Sequence, residues 1–239
     1  MMPLVTLMLL LGTPPDKADR SSYLFQFEKG RLVGRPYQPQ AGDLALLDDH
    51  HEITAQLYNL CNTGKPLHAA IIFHKPDGTP AVLEAGRNGV LKVFVTDAAT
   101  RMQRFDGTIL IRRLRKPLTP EQSKQLTDFA MAQDGKPYAL SRAILHASPL
   151  RPRDPGIMRI FNRTVLDREG WICSELAVAA ATAAGVLNET DHPANMMLPR
   201  DLCYDERYDL SPQYEPPALW YPRASIDHVG NGIRVGNPE

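Results

Sequence analysis

Lysine plus arginine and aspartate plus glutamate balance at 27 each over 239 residues, so no global charge draws the chain to nucleic acid or to an anionic membrane. The length suits one large domain or two small ones, with ordinary apolar content to bury a core. The three cysteines, Cys61, Cys173 and Cys203, are too few for a disulfide scaffold, and none lies in a Cys-x-x-Cys pair, which argues against zinc.

The apolar run from Pro3 to Leu11 is too short to span a bilayer. It has the length of a signal-peptide core, yet no Lys or Arg precedes it and no Ala-x-Ala-like site follows cleanly. A cytoplasmic location is therefore favoured over a secreted or periplasmic one, and residues 1–20 are read as a signal segment or a flexible N-terminus. Tyr23 to Phe27 is a short strand candidate. Gly42 and Asp43 open a second, Leu44 to Leu47. The cluster Asp48, Asp49, His50, His51 and Glu52 has the look of a metal site, but Ala55 stands where the zinc-protease spacing needs a histidine. The better reading makes Asp48 or Asp49 the cap of a helix. Its stripe is Ile53, Leu57, Leu60 and Cys61, and Gly64 ends it.

Leu67 to Phe73 and Ala81 to Ala85 flank Pro76-Asp77-Gly78, a turn with proline at its first corner and glycine at the left-handed position. If Lys75 pairs with Thr79, then Ala70 faces Glu84, and His68 lies on the same side of the sheet as both. His68 and Glu84 become diagonal neighbours, about 7–8 Å apart at Cα and within side-chain reach. A carboxylate there orients the ring and favours its charged form. The competing reading is a histidine satisfied by nearby backbone, with the glutamate facing water.

Thr108 to Leu114 is a further strand. A helix follows, with Thr119 as cap, Pro120 in the first turn and a capping-box partner at Gln122. Its stripe is Leu126, Phe129 and Ala130, and Gly135 closes it before Lys136-Pro137-Tyr138. Arginines at 142, 151, 153, 159, 163 and 168 then suggest a basic lid for an anionic substrate, although a solvated connection is the plainer reading. Gly170 permits a sharp turn into an alanine-rich helix that opens at Cys173 and ends at Gly185. Leu176, Ala177, Ala180 and Ala184 give it an inward face. A thiol in the first turn feels the positive end of the helix dipole, which favours thiolate. By position alone, a buried structural cysteine reads as well. From Ser211 the proline-rich tail is expected to run over the surface of the core.

These residues, in this order, resemble a family. Gly42-Asp43 entering a strand, His68 opening an apolar strand, Leu83-Glu84-Ala85 on the return, Gly135-Lys-Pro-Tyr138 and Cys173-Ser-Glu-Leu176 opening a helix are together similar to the permuted papain-like hydrolases of the NlpC/P60 superfamily, YiiX/YebB-like branch. The resemblance covers residues 40 to 205, and Asn195 to Leu202 is similar to the family's closing Pro-x-Asp-Leu turn. The chain departs from the family pattern at Leu67, Ala139 and Ile172.

The resemblance implies an α+β, circularly permuted papain-like fold, an antiparallel sheet packed against helices that include the cysteine helix. The catalytic domain would span 21–210, with a proline-rich extension over 211–239 packed on it. It implies a cysteine hydrolase acting on an amide or ester bond of a small-molecule, lipid or peptide substrate, without cofactor, metal, nucleic acid or transmembrane segment. Cys173 would be the nucleophile, His68 the base and Glu84 the orienter, with Tyr138 in a substrate-binding or oxyanion role. An acyltransferase using the same cysteine, or an idle binding module of the same fold, remains the alternative.

Overall fold

In the computed structural model, which describes residues 22–48, 64–87, 90–147 and 168–222, eight strands form one antiparallel sheet. They are β1 (Ser22–Glu28), β2 (Arg31–Tyr37), β3 (Leu44–Asp48), β4 (His68–His74), β5 (Pro80–Arg87), β6 (Val90–Asp97), β7 (Thr108–Arg112) and β8 (Ala218–Pro222). Their order across the sheet is β2-β1-β8-β7-β3-β4-β5-β6. The helices are α1 (Ala98–Gln103), α2 (Pro120–Gln133), α3 (Leu140–Ala147), α4 (Cys173–Ala183) and α5 (Pro199–Tyr204). This is an α+β architecture.

The interior strands are buried on both faces, which is why β3 and the body of β4 read as unbroken apolar runs rather than alternating ones. On one face Leu46, Ile71, Phe73 and Leu83 pack with Leu126 and Ala130 of α2 and with the alanines of α4. On the other, Ala70, Ile72, Val82, Ile109 and Ile111 pack with Ala98 and Met102 of α1. Each large side chain removed from water in this way is worth about 1.5–3 kcal/mol.

The β4–β5 hairpin has the expected register. The Lys75 N–H donates to the Thr79 carbonyl at 2.9 Å, Gly78 is left-handed at φ 81°, and Ala70 stands opposite Glu84. The α2 start also matches, with Thr119 and Gln122 forming a reciprocal capping box. Gly185 follows α4 at φ 66°.

Three expectations change. Helix α4 has no inward stripe: every residue from Cys173 to Ala181 is buried, because alanine is small enough to be packed against on all sides. The tail does not run over the surface at its strand: Ala218–Pro222 is inserted between β1 and β7, and Tyr214 is fully buried. Gly170 is needed for close contact, where the sequence suggested only a sharp turn. A Cβ there would come within 2.8 Å of the Pro137 carbonyl oxygen, the same oxygen that accepts the Trp171 N–H at 3.0 Å. Asp48 ends β3 and pairs with Lys65 at 3.0 Å. The helix expected over 53–61, with Cys61 and the histidines at 50 and 51, lies outside the described residues. Among the described residues no helix is long and apolar enough to cross a membrane.

Candidate active site

The first residue of α4 meets the first residue of β4. Ile172 enters α4 in an extended conformation with no side-chain cap, so the first-turn N–H groups are open to other acceptors. Cys173 is buried, and its neighbours are the His68 imidazole and the backbone N–H groups of Ala69 and Ser174, all of which favour a negative sulfur. His68 keeps 22% of its side-chain surface exposed. Its Nε2 lies 3.0 Å from Glu84 Oε2, which leaves Nδ1 as the nitrogen for the thiol.

Charge on this chain of groups follows from its neighbours. Burial opposes ionisation of Cys173, but the His68 hydrogen bond and charge, aided by the two N–H groups, outweigh it and lower the thiol below its ordinary value. Burial likewise opposes a charged imidazole, and the bonds to Cys173 and Glu84 outweigh it in turn, raising His68 well above an ordinary histidine. Both shifts favour the thiolate–imidazolium form of the pair. Glu84 is fully buried. Burial would push its carboxyl up, yet His68 and Arg101 together bring it down to about 2.

Arg101 is a residue the sequence reading missed. It reaches from α1 with Nε 2.6 Å from Glu84 Oε1 and Nη2 2.9 Å from Oε2. A local signal existed, because Asp97 followed by Ala98-Ala99-Thr100 is a helix start, and Asp97 does cap α1 through the Thr100 N–H at 2.8 Å. That Arg101 points at Glu84 depends on β6 pairing beside β5, which no local pattern announces.

Glu175 takes the structural place that its first-turn position suggests, and does more. It is fully buried, with Arg142 Nη2 at 3.0 Å and Arg168 Nη1 at 3.6 Å. Arg142 also donates to the Gly170 carbonyl. Two of the six arginines thus turn inward onto a carboxylate beside Cys173. The other four, at 151, 153, 159 and 163, lie outside the described residues.

Tyr138 packs its ring over Gly86, where a Cβ would come within 2.8 Å of ring atoms. Its N–H donates to Leu91, and its backbone bridges to Trp171, two residues before Cys173. Asp43 is buried at the entrance to β3. It accepts from the Tyr37 hydroxyl at 2.9 Å and from the Leu114 and Gln40 N–H groups at 2.8 and 3.2 Å, a corner brace remote from the thiol. Burial pushes its carboxyl up to about 6. The turn Asn195 to Leu202 leads into α5, where Asp201 accepts the Leu198 N–H at 2.8 Å. Among the described residues no group of three or more His, Cys, Asp or Glu could hold a metal ion.

Residues 38–143 match the model of a family described as permuted papain-like amidase enzymes, YaeF/YiiX, C92. The match contains His68, Glu84 and Arg101 and stops short of Cys173. Among solved structures, the chain is similar to metalloprotein yiiX from Escherichia coli O157:H7, at 21% identity over 62% of this chain and 68% of that one, with a TM-score of 0.43. No curated protein matches. Over residues 38–143, the chain is similar to the permuted papain-like family.

Proposed function

We propose that the protein is a cysteine-dependent hydrolase, an amidase, peptidase or esterase, working through Cys173, His68 and Glu84 on a permuted NlpC/P60-type fold. The observation that carries this reading is that His68, 3.0 Å from the buried Glu84 carboxylate, also faces the Cys173 thiol and lowers it, although the helix start and the hairpin that supply them are far apart in sequence. The matched family's description as amidase enzymes supports the reaction class.

The Cys173 thiolate attacks the carbonyl carbon, forming a C–S bond while the carbonyl oxygen takes the electron pair. The N–H of Cys173, at the positive end of α4, is the oxyanion donor of this reading. The intermediate collapses as the carbon–nitrogen or carbon–oxygen bond breaks, and His68 passes its proton to the leaving group. Water then attacks the thioester, gives its proton to His68, and the C–S bond breaks to free the acid. Glu84 holds the ring in place through both steps. Tyr138, bridged to Trp171 beside the nucleophile, is the substrate-side residue.

The test is the acyl-enzyme itself. After incubation with mixed lipids or with cell-wall fragments, Cys173 in the wild type should carry an acyl mass that Cys173→Ser lacks as a thioester. Absence of any adduct, together with retained ligand binding, would leave a binding module. An adduct discharged to an alcohol or amine in preference to water would make the protein an acyltransferase.

A further inference from the structure

We propose that Arg101 is a positioning residue that limits the proton affinity of His68 by dividing the charge of Glu84. Its consequence for turnover rests on the hydrolase reading above; its test does not.

The geometry is asymmetric. Arg101 takes Glu84 Oε1 through Nε at 2.6 Å, and shares Oε2 with His68, Nη2 at 2.9 Å against the imidazole Nε2 at 3.0 Å. The fork fixes the carboxylate plane, and with it the lone-pair direction offered to the ring. Arg101 itself is only 4% exposed. Its guanidinium lies 4.9 Å from the Phe105 ring centroid, and the Asp97 cap anchors the helix it leaves. It is therefore held onto Glu84 rather than free to swing to solvent.

Among the described residues, the charged groups facing His68 are Cys173 from α4 and Glu84 from β5. Those facing Glu84 are His68 and Arg101. On β3, Asp48 near the start of β4 is taken by Lys65. In the line Arg101, Glu84, His68 and Cys173 the charges alternate and cancel. Without Arg101 the whole negative charge of Glu84 would fall on the imidazolium, and the nearest repelling cation would be gone. Both changes hold the ring proton more tightly. An imidazolium that holds its proton too tightly is a poor acid toward a leaving group. Arg101 thus keeps Glu84 as an orienter without letting it become a trap for the proton.

A purely structural Arg101, present only to neutralise a buried carboxylate, would leave the titration of His68 unmoved in any variant that folds. The experiment is a pH titration of the His68 imidazole by NMR, with the signal assigned by its loss in His68→Gln. It is done in a Cys173→Ser background, so that no thiolate holds the ring charged beyond the accessible range. Adding Arg101→Met should raise the midpoint by about one pH unit, a ten-fold gain in proton affinity. Arg101→Gln, which keeps a donor to Glu84 but no charge, should do the same and serves if the methionine variant does not fold. Arg101→Lys should return the midpoint most of the way to that of the background. A folded neutral variant with an unmoved or lowered midpoint overturns the proposal, and so does a lysine variant that titrates like the neutral ones. A raised midpoint with no acyl adduct on Cys173 in the wild type would sink the hydrolase reading and leave this one standing.

Discussion

Cys173 and Cys203 are both buried on helices, and both have an arginine–carboxylate pair nearby, yet their thiols shift in opposite directions. Cys203, on α5, is fully buried, and burial pushes its thiol up to about 12. Tyr204 and then Arg112 pull the other way without overcoming it, and the Arg112 fork is spent on Asp205, at 2.7 and 3.0 Å. Cys173 meets the same opposition from burial and is nonetheless lowered. What differs is an imidazole between the sulfur and the carboxylate, which can carry the thiol proton and stay as a cation beside the sulfur. A buried cysteine is inert by default, and a hydrogen-bonded base makes it otherwise.

The strongest way to break the comparison is to turn Cys173 into a second Cys203. His68→Ala removes the base and leaves burial opposed only by the two backbone N–H groups, so the thiol should titrate above an ordinary one. Turnover should fall at least about 1,000-fold, roughly 4 kcal/mol of transition-state stabilisation. Cys173→Ser should lose as much, because the remaining members act only as a unit. Steady-state rates and the pH dependence of thiolate absorbance check both.

Glu84→Gln should cost less in turnover, about 10–100-fold, because the nucleophile and base remain. It should cost more in stability than a surface change, about 3 kcal/mol, since the Arg101 cation stays buried without its counter-charge. Urea unfolding of the variant against wild type reads this directly.

The same carboxylate sets an acid limit. Its folded value, about 2, is depressed from 4.5. Its contribution is therefore complete above the unfolded value and is lost as pH falls toward 2, with about 3 kcal/mol at stake. Wild-type stability should fall between pH 5 and pH 2 more steeply than that of Glu84→Gln. Parallel slopes would contradict the buried, ionised Glu84.

Cys203→Ala sharpens the contrast from the other side and has the smallest effect. Loss of one buried sulfur should cost about 1 kcal/mol, with turnover and Cys173 labelling changed less than about two-fold.

Much of this was legible locally. The Pro76-Asp77-Gly78 turn sets a register, and that register alone brings His68 and Glu84 to one face. The Thr119 and Gln122 cap and the glycine after α4 are similarly short-range signals. What escaped is long-range. Lys29 and Gly30, both at positive φ, turn β1 into β2 without the Asn-Gly or Asp-Gly pair that would advertise a hairpin. Strand β8 finds its place between β1 and β7 only after the rest of the sheet exists. Arg101 and the Arg142–Glu175–Arg168 cluster lie in polar stretches whose inward direction is decided by which strand or helix passes alongside. The pairing of Cys173 with His68 came from resemblance rather than from periodicity, since nothing near either residue points to the other.

The central claim is that Cys173 is ionised in the resting protein because of His68. Alkylation at pH 5 with a small uncharged reagent, read by peptide mass, tests it most directly. An ordinary thiol with pKa of about 8.5 has about one thiolate in 3,000 at that pH. That deficit exceeds the loss of intrinsic nucleophilicity that accompanies a lowered pKa. Cys173 should therefore label about ten-fold or more faster than a free model thiol, and His68→Ala should remove the advantage. Labelling of wild-type Cys173 at or below the rate of the model thiol, under conditions where the reagent reaches the sulfur, would contradict the account.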